Sequence, residues 1–126
     1  MAQDFNTQLC VDDGMTTDLR DTNCNGYAGN LHQLWEDTSG NPGNRTFRNL
    51  GTGRCLDDSE TLKLRTIDCT TNNIHQHFQW VFTGNSSWAI VSAARGRCLD
   101  DSPTLHLRDA PCSDFGTNDH QEFYFG

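Results

Sequence analysis

The sequence predicts an all-β domain built from three copies of one unit of about 42 residues. Three observations support this prediction. The run Arg-Cys-Leu-Asp-Asp-Ser begins at Arg54 and again at Arg97, and a less similar copy begins at Leu9. Two cysteines are 14 residues apart in every copy. Short strand-like segments alternate with turn residues, and none has sustained helical periodicity, which favours a β-barrel or trefoil. We expect a single domain over residues 1–126, with repeats at about 1–42, 43–84 and 85–126.

The predicted elements of the first unit follow its apolar alternation and its turn residues. Residues 1–8 are short and polar, with Phe5 as the single large apolar anchor. A first strand is interrupted by Asp13-Gly14, a second ends at Cys24 before Asn25-Gly26, and a third begins at Leu34. The predicted strands of this unit are therefore 9–12, 19–24 and one that starts at 34–35. The segment 39–44, with two Gly and one Pro, is the clearest connector in the chain.

The second and third units repeat this order. A strand leads into the Gly51-Thr52-Gly53 turn, a leucine-containing strand follows the first cysteine of each unit, and an aromatic strand closes each unit. The predicted strands are 46–50, 62–65, 78–82, 88–91, 105–108 and 123–125. The connection between the two units is the polar segment 83–87.

Six cysteines are the strongest covalent signal. Six allow fifteen pairings, and threefold repetition favours the pairing within each copy: Cys10 with Cys24, Cys55 with Cys69, and Cys98 with Cys112. In the chain-entropy model each bridge closes a loop of about 15 residues and adds roughly 3 kcal/mol of stability. Reduced cysteines or a zinc site are the alternatives, and the absence of a Cys-x-x-Cys pair disfavours zinc. Disulfides predict a secreted or extracellular destination.

Composition narrows the function classes. Hydrophobic residues make up 34% of the chain, so the core is small and covalent links would add to its stability. The net charge of −8 disfavours nucleic acid and anionic lipid as partners. No apolar run reaches transmembrane length. The first residues show no signal peptide, which predicts either a mature form with an added Met or export by another route.

The repeated elements, taken together, resemble one known family. Each copy has Cys-x-Asp, a leucine-containing strand, a second Cys, and a Gln-x-Trp-like element. That element reads Gln33-Leu34-Trp35, then Phe78-Gln79-Trp80 in an altered form, then Gln121-Glu122-Phe123. The pattern runs from Leu9 to Phe123 and resembles the ricin-B β-trefoils, which are the R-type lectins. The resemblance implies a six-stranded barrel capped by three hairpins, with one galactose or N-acetylgalactosamine pocket in each repeat.

A sugar pocket requires a carboxylate acceptor, an amide or imidazole, and a ring that stacks on the C–H face of the sugar. The resemblance places the carboxylate at Asp12, Asp57 and Asp100. The position before the Gln is usually Asn in relatives and is predicted to be His32, His77 and His120 in this chain. Rings three residues after the second cysteine, Tyr27 and Phe115, are the predicted stacking partners. The alternative is that these rings only cover the base of the barrel.

Comparison of the copies ranks the first and third repeats above the second, which lacks both the ring and the Gln in this alignment. The predicted sugar-binding residues are Asp12, Tyr27, Asn30, His32 and Gln33 in the first repeat, and Asp100, Phe115, Asn118, His120 and Gln121 in the third. The second repeat contributes Asp57, His75 and His77 as secondary candidates.

Several repeated residues have a structural interpretation instead. We expect Trp35, Trp80 and Phe123 in the core. We expect Arg20, Arg65 and Arg108 to pair with the second aspartate of each Asp-Asp pair, which is Asp13, Asp58 or Asp101. Because neighbouring strand residues point to opposite faces, an Asp-Asp pair does not form the acid and base of a glycosidase. A calcium ion at Asp13 or its copies is an alternative, although the twelve-residue calcium loop is absent.

The sequence therefore predicts a multivalent, cell-agglutinating lectin for galactose-type glycans on glycoproteins or glycolipids. We expect no enzymatic activity, no cofactor, no nucleic-acid binding and no membrane insertion, and homodimerisation would double the valency. Two other interpretations stay open. The chain could be the carbohydrate-targeting module of a larger glycosidase or toxin. It could instead be a trefoil that binds a protein partner, as a protease inhibitor does.

Overall fold

A computed structural model describes residues 2–4, 7–14, 18–25, 29–38, 44–59, 63–70, 72–83, 87–102, 106–113 and 119–125. Within these ranges the chain forms twelve short strands and three short 3-10 helices. Four strands lie in each of the three predicted units, and one 3-10 helix precedes the last strand of each unit.

The strands are numbered in chain order. The first repeat contains β1 (Ala2–Asp4), β2 (Leu9–Gly14), β3 (Asp18–Asn23) and β4 (Trp35–Glu36). The second contains β5 (Arg48–Asn49), β6 (Cys55–Ser59), β7 (Lys63–Ile67) and β8 (Phe78–Phe82). The third contains β9 (Trp88–Ser92), β10 (Arg97–Ser102), β11 (His106–Pro111) and β12 (Phe123–Phe125). The 3-10 helices are Leu31–Gln33, Ile74–Gln76 and Asp119–Gln121.

The strand pairing has threefold symmetry. Each repeat has an antiparallel hairpin from its second and third strands, namely β2–β3, β6–β7 and β10–β11. Consecutive repeats are joined by the pairs β4–β5 and β8–β9, and β12–β1 joins the last repeat to the first. This arrangement is a β-trefoil, so the predicted fold is confirmed. Strand β1 was missed by the sequence analysis because its three residues, Ala-Gln-Asp, have almost no apolar pattern and are ordered by β12.

Each hairpin is closed by its own disulfide. The bonds join Cys10 to Cys24, Cys55 to Cys69 and Cys98 to Cys112, as predicted. The Cα atoms of each pair are 5.0–5.1 Å apart, which is the usual separation for a disulfide. The hairpin register explains the repeated spacing of 14 residues, because the first cysteine lies opposite the residue two before the second.

The core is built from equivalent residues of the three repeats. The residue after the first cysteine is buried in every copy: Val11, Leu56 and Leu99. Phe78 and Phe123 are fully buried, and Trp35 packs against the same cluster from its edge. Fully burying one such side chain contributes roughly 1.5–3 kcal/mol. Many charged residues are buried around this core, and burial requires that they have specific partners.

The strand register corrects the predicted alignment of the second repeat. Trp35 pairs with Asn49, Phe78 with Ser92 and Phe123 with Asp4, and these three partners lie at the same distance before the next first cysteine. The element of the second repeat is therefore Gln76-His77-Phe78, not Phe78-Gln79-Trp80. Trp80 lies two residues further along β8, where its ring packs on Phe47 at a centroid distance of 5.2 Å and beneath the Arg45 guanidinium.

Candidate functional site

The 3-10 helices of the first and second repeats each begin with an Asn cap. The Asn30 Oδ1 atom accepts a hydrogen bond from the backbone N–H of His32 at 3.0 Å, and Asn73 caps His75 in the same way at 3.0 Å. The Asn30 amide also donates to Asn25 at 2.7 Å. These caps satisfy helix N–H groups that would otherwise have no partner. The predicted sugar-binding residue Asn30 therefore has a local structural role, and sequence analysis missed its counterpart, Asn73.

The middle residue of each helix is a histidine in a fixed orientation. The Nδ1 atoms of His32, His75 and His120 lie 2.9, 3.1 and 3.1 Å from the carbonyl oxygens of Asp13, Asp58 and Asp101, respectively. A carbonyl oxygen only accepts hydrogen bonds, so Nδ1 carries the proton in all three rings. In the neutral ring Nε2 is then the acceptor. The equivalent histidine of the second repeat is His75, and His77 corresponds to Leu34 and Glu122, which corrects the predicted position.

The last residue of each helix is a buried glutamine. The Oε1 atoms of Gln33, Gln76 and Gln121 accept hydrogen bonds at 2.7, 3.0 and 2.9 Å from the N–H group that follows the second cysteine. Their Nε2 atoms donate at 2.7, 3.0 and 3.0 Å to the carbonyl group that precedes the same cysteine. Each glutamine thus holds the helix to the disulfide end of its hairpin. The second repeat retains this glutamine, so the prediction that it lacks one is wrong.

The carboxylate predicted to bind sugar is buried beneath an arginine in all three repeats. Asp12, Asp57 and Asp100 lie opposite Arg20, Arg65 and Arg108 across the hairpin. The arginine Nε and aspartate Oδ1 atoms are 3.1, 3.2 and 3.3 Å apart. This pairing corrects the prediction that the arginines bind the second aspartate of each pair. The register of each hairpin could have indicated it, because the register fixes which residues lie opposite one another.

We name the three groupings sites 1, 2 and 3. Site 1 is Asp12, Arg20 and His32, site 2 is Asp57, Arg65 and His75, and site 3 is Asp100, Arg108 and His120. The hairpin supplies the first two residues of each site. The 3-10 helix brings the histidine against the carbonyl group of the next hairpin residue. In site 3 Gln121 also donates to Asp100 Oδ2 at 3.1 Å, whereas Oδ2 of Asp12 is buried with no hydrogen-bond partner.

The comparison with known protein families agrees with this repeated geometry. The family model of the ricin-type β-trefoil lectin domain matches residues 1–123. The chain belongs to the ricin-type β-trefoil lectin family. Among curated protein sequences, none matches this chain.

Solved structures share the fold of this ricin-type lectin domain at low sequence identity. The BEL β-trefoil in an apo crystal form aligns with a TM-score of 0.82 and 17% identity, over 98% of this chain and 88% of that one. A designed threefold symmetric protein, ThreeFoil, aligns at 0.77 and 14% identity, over 98% and 94%. A GlcNAcα1-4Gal-releasing endo-β-galactosidase from Clostridium perfringens aligns at 0.81 and 10% identity. This alignment covers 97% of this chain and 30% of the enzyme chain.

Three predicted residues of the lectin domain, Tyr27, Phe115 and Asn118, lie outside the described residues. Their roles in stacking or hydrogen bonding therefore stay predictions. The arginines at sites 1–3 are the residues that sequence reasoning left out of the site. Among the described residues no three His, Cys, Asp or Glu side chains are grouped so that they could hold a metal ion. None of the helices in the described ranges has the length and hydropathy that crossing a membrane requires.

The second aspartate of each Asp-Asp pair lies at a junction between repeats. Asp13 is fully buried and is paired with Arg54, whose Nη2 lies 2.7 Å from Oδ1. Hydroxyl groups of Thr52 and Thr66 donate to the same carboxylate at 2.6 and 2.8 Å. Asp13 therefore has two neutral donors and one cation, and this junction is electrostatically balanced.

The other two junctions hold pairs of carboxyl groups. At the second junction, Asp58 faces Asp109. Burial is the main cause that raises the pKa of Asp58 from 3.8 to about 7, and the neighbouring Asp109 carboxyl adds to the rise. Arg95 partly opposes this rise and lies 2.9 Å from Asp109. At the third, burial and then the Asp21 carboxyl raise the pKa of Asp101 from 3.8 to about 8. In the first repeat, Leu9 occupies the sequence position that is Arg54 in the second repeat and Arg97 in the third.

Proposed function

We propose that this domain is a multivalent lectin for galactose- or N-acetylgalactosamine-type glycans, acting without catalysis and without a cofactor. The observation that supports this proposal is the threefold occurrence of one Asp–Arg–His grouping at the same place in a ricin-type trefoil. Each grouping is polar and carries donors and at least one acceptor, which is the chemistry that a hexose requires.

The exposed members of each site are suited to contact the sugar directly. The arginine side chains are 32–46% exposed, whereas the aspartates beneath them are 0–3% exposed. The arginine would donate to sugar hydroxyl groups, and the histidine Nε2 would accept from one. The aspartate would orient the arginine, and a direct aspartate–sugar bond would require the arginine to rotate away. In the second repeat His75 replaces His77 as the proposed contact, and site 2 joins sites 1 and 3 as a candidate.

Multivalency follows from having three sites on one chain. A single shallow monosaccharide site of this kind binds at about millimolar Kd, near −4 kcal/mol. Simultaneous occupancy on a surface rich in glycans would increase the apparent affinity by roughly 10² to 10⁴. This gain is the physical basis for agglutination. Secretion agrees with the three disulfides and with a lectin that meets cell-surface glycans, and homodimerisation would double the number of sites.

A glycan array followed by titration tests this proposal. We expect the wild-type protein to bind multivalent galactose or N-acetylgalactosamine displays, and the triple variant His32→Ala, His75→Ala, His120→Ala to lose most of this binding. Each single variant should reduce avidity and leave two working sites. The matched control is His77→Ala, which removes a histidine outside the three sites and should bind as the wild type does. Absence of glycan binding by a folded wild-type protein would contradict the proposal.

A second candidate is supported by the comparison with solved structures. The lectin domain covers only 30% of the Clostridium perfringens endo-β-galactosidase with which it aligns. The same fold thus occurs within a larger enzyme, and this chain could be the targeting module of a glycosidase or toxin. The sequence of the complete natural open reading frame distinguishes the two candidates, because a fused catalytic domain is expected only for the module.

A further inference from the structure

We infer that the three sites favour glycans that carry an anionic group, namely a carboxylate or a sulfate on the bound sugar. This inference rests on the proposed lectin function and specifies its ligand class. It comes from the arginine in each site, which is present in all three repeats although they differ at many other positions.

The Asp–Arg contact uses the Nε atom of each guanidinium group and does not involve its terminal nitrogens. The contact at 3.1–3.3 Å uses the Nε end of each arginine, the end nearest its own backbone. The side chains of Arg20, Arg65 and Arg108 are 46%, 32% and 42% exposed, so each arginine is held at its inner end and reaches solvent. The buried carboxylate thereby restrains the arginine side chain before any ligand arrives, which lowers the entropy cost of binding.

The terminal nitrogens of a fixed guanidinium group match a carboxylate or sulfate better than a hydroxyl. Their N–H groups form a planar fork that donates two parallel hydrogen bonds to two anionic oxygens. A sugar hydroxyl offers one oxygen, and the bond to it has charge on the donor only. A hydrogen bond with an ionised partner is roughly twice as strong as one between neutral groups, and a carboxylate or sulfate allows the guanidinium group two such bonds where a hydroxyl allows one. We therefore expect a preference of about tenfold per site for an acidic sugar over its neutral counterpart.

The net charge of the chain opposes this preference and must be weighed against it. A charge of −8 repels acidic ligands at a distance. At physiological ionic strength the Debye length is about 8 Å, so charges elsewhere on the surface are largely screened at the site. A contact at hydrogen-bond distance is affected much less. The overall charge should therefore slow the association of acidic glycans, while the arginine decides their equilibrium preference.

A purely structural role of the arginines is the competing explanation, since a buried carboxylate requires a compensating cation. Binding selectivity separates the two, because a structural role alters stability but not the ratio of acidic to neutral binding. The probes are matched polymer-displayed sugars: galactose, galactose 6-sulfate and galacturonic acid. The proteins are the wild type, the triple variant Arg20→Gln, Arg65→Gln, Arg108→Gln, and the corresponding triple Lys variant. Thermal unfolding verifies that each variant is folded.

We expect the wild type to bind at least one acidic probe about tenfold more tightly than galactose. The ratio should fall towards one in the Gln variant and to an intermediate value in the Lys variant, which keeps the charge but loses the fork. Equal binding of acidic and neutral probes by the wild type overturns the inference and leaves the lectin proposal standing. An unchanged ratio in the Gln variant overturns it as well. Failure to bind any probe or any other glycan rejects both.

If a triple variant does not fold, the ratio of acidic to neutral binding by the wild type still shows whether the protein prefers acidic sugars. The single variants Arg20→Gln, Arg65→Gln and Arg108→Gln then replace the triple variant. Each should lower the acidic-to-neutral ratio of the multivalent display, and a ratio unchanged in all three singles overturns the inference.

Discussion

At the scale of single residues, the structure separates side chains that hold the fold from side chains that can meet a ligand. Gln33, Gln76 and Gln121 are almost completely buried, and both ends of each amide are bonded to the backbone beside the disulfide. The neighbouring histidines are half-buried, and the arginine side chains are 32–46% exposed. Sequence position alone gives the glutamine and histidine equal standing, because they are adjacent.

The second repeat offers a direct test of this separation. Replacing Gln76 by Ala removes two partly buried hydrogen bonds and leaves the backbone N–H of Thr70 and the carbonyl group of Asp68 without this partner. We expect the free energy of unfolding to fall by about 1–3 kcal/mol. The matched control is Gln79→Ala, an exposed residue of β8, which should change stability by less than about 0.5 kcal/mol. Denaturant unfolding measures both, and a larger loss for Gln79→Ala would contradict the pairing of Phe78 with Ser92.

At the scale of elements, each hairpin carries different chemistry on its two faces. Asp12 and its copies face an arginine across the strand pair, whereas Asp13 and its copies lie between repeats. The three junctions are equivalent in position and different in charge. Arg54 neutralises the first, arginines flank the carboxyl pair of the second, and the third contains Asp101, Asp21 and Asp4. The weakest electrostatic balance is therefore where the last repeat meets the first.

This imbalance predicts a dependence of stability on pH. The pKa of Asp101 is about 8 in the fold and 3.8 otherwise, so between these values the folded chain holds a proton that the unfolded chain has released. Raising the pH through this window therefore favours unfolding, by at most about 1.4 kcal/mol per pH unit for one such group. Asp58 adds the same trend up to about pH 7.

Thermal unfolding at a series of pH values measures this effect. We expect the melting temperature to fall as the pH rises towards about 8. The variant Asp101→Asn should be less sensitive to pH and more stable than the wild type at alkaline pH, since the amide carries no charge. The exposed Asp68→Asn is the control and should keep the wild-type slope. An Asp101→Asn variant with an unchanged slope would show that this carboxyl group is not the origin.

At the scale of the whole molecule, three disulfide-closed loops of equal length stabilise a fold with a small core. Each disulfide closes a loop of the same length within its own hairpin. The bonds therefore stabilise the repeats individually, while the pairs β4–β5, β8–β9 and β12–β1 join them. The trefoil thus combines local covalent closure with non-covalent closure between repeats.

Removal of one disulfide should accordingly have a similar cost in each repeat. The double variant Cys55→Ser, Cys69→Ser is expected to lower the free energy of unfolding by about 3 kcal/mol, and Cys98→Ser, Cys112→Ser by a similar amount. Denaturant titration of the two variants checks this. A much larger loss in one repeat would indicate that its bridge also supports the contacts with its neighbours, and equality would support independent stabilisation of these two hairpins.

The sequence by itself determined the repeat, the disulfide pairing and the trefoil class. Cysteines, aspartates and leucines recur at fixed offsets in the sequence, and this repetition corresponds to three equivalent hairpins in the fold. The sequence also located the helix residues His32 and His120, because the first and third copies align without gaps over this element.

Only the tertiary structure decided which residues of the second repeat are equivalent to those of the other two and which of them are exposed. The loop before His75 is two residues shorter than in the other copies, so two Gln-containing alignments were available, and only the cross-strand pairing of Phe78 with Ser92 selects one. The arginine partners depend on hairpin register in the same way. The residues of strand β1 have no apolar pattern that predicts a strand, and β1 forms because its backbone pairs with β12.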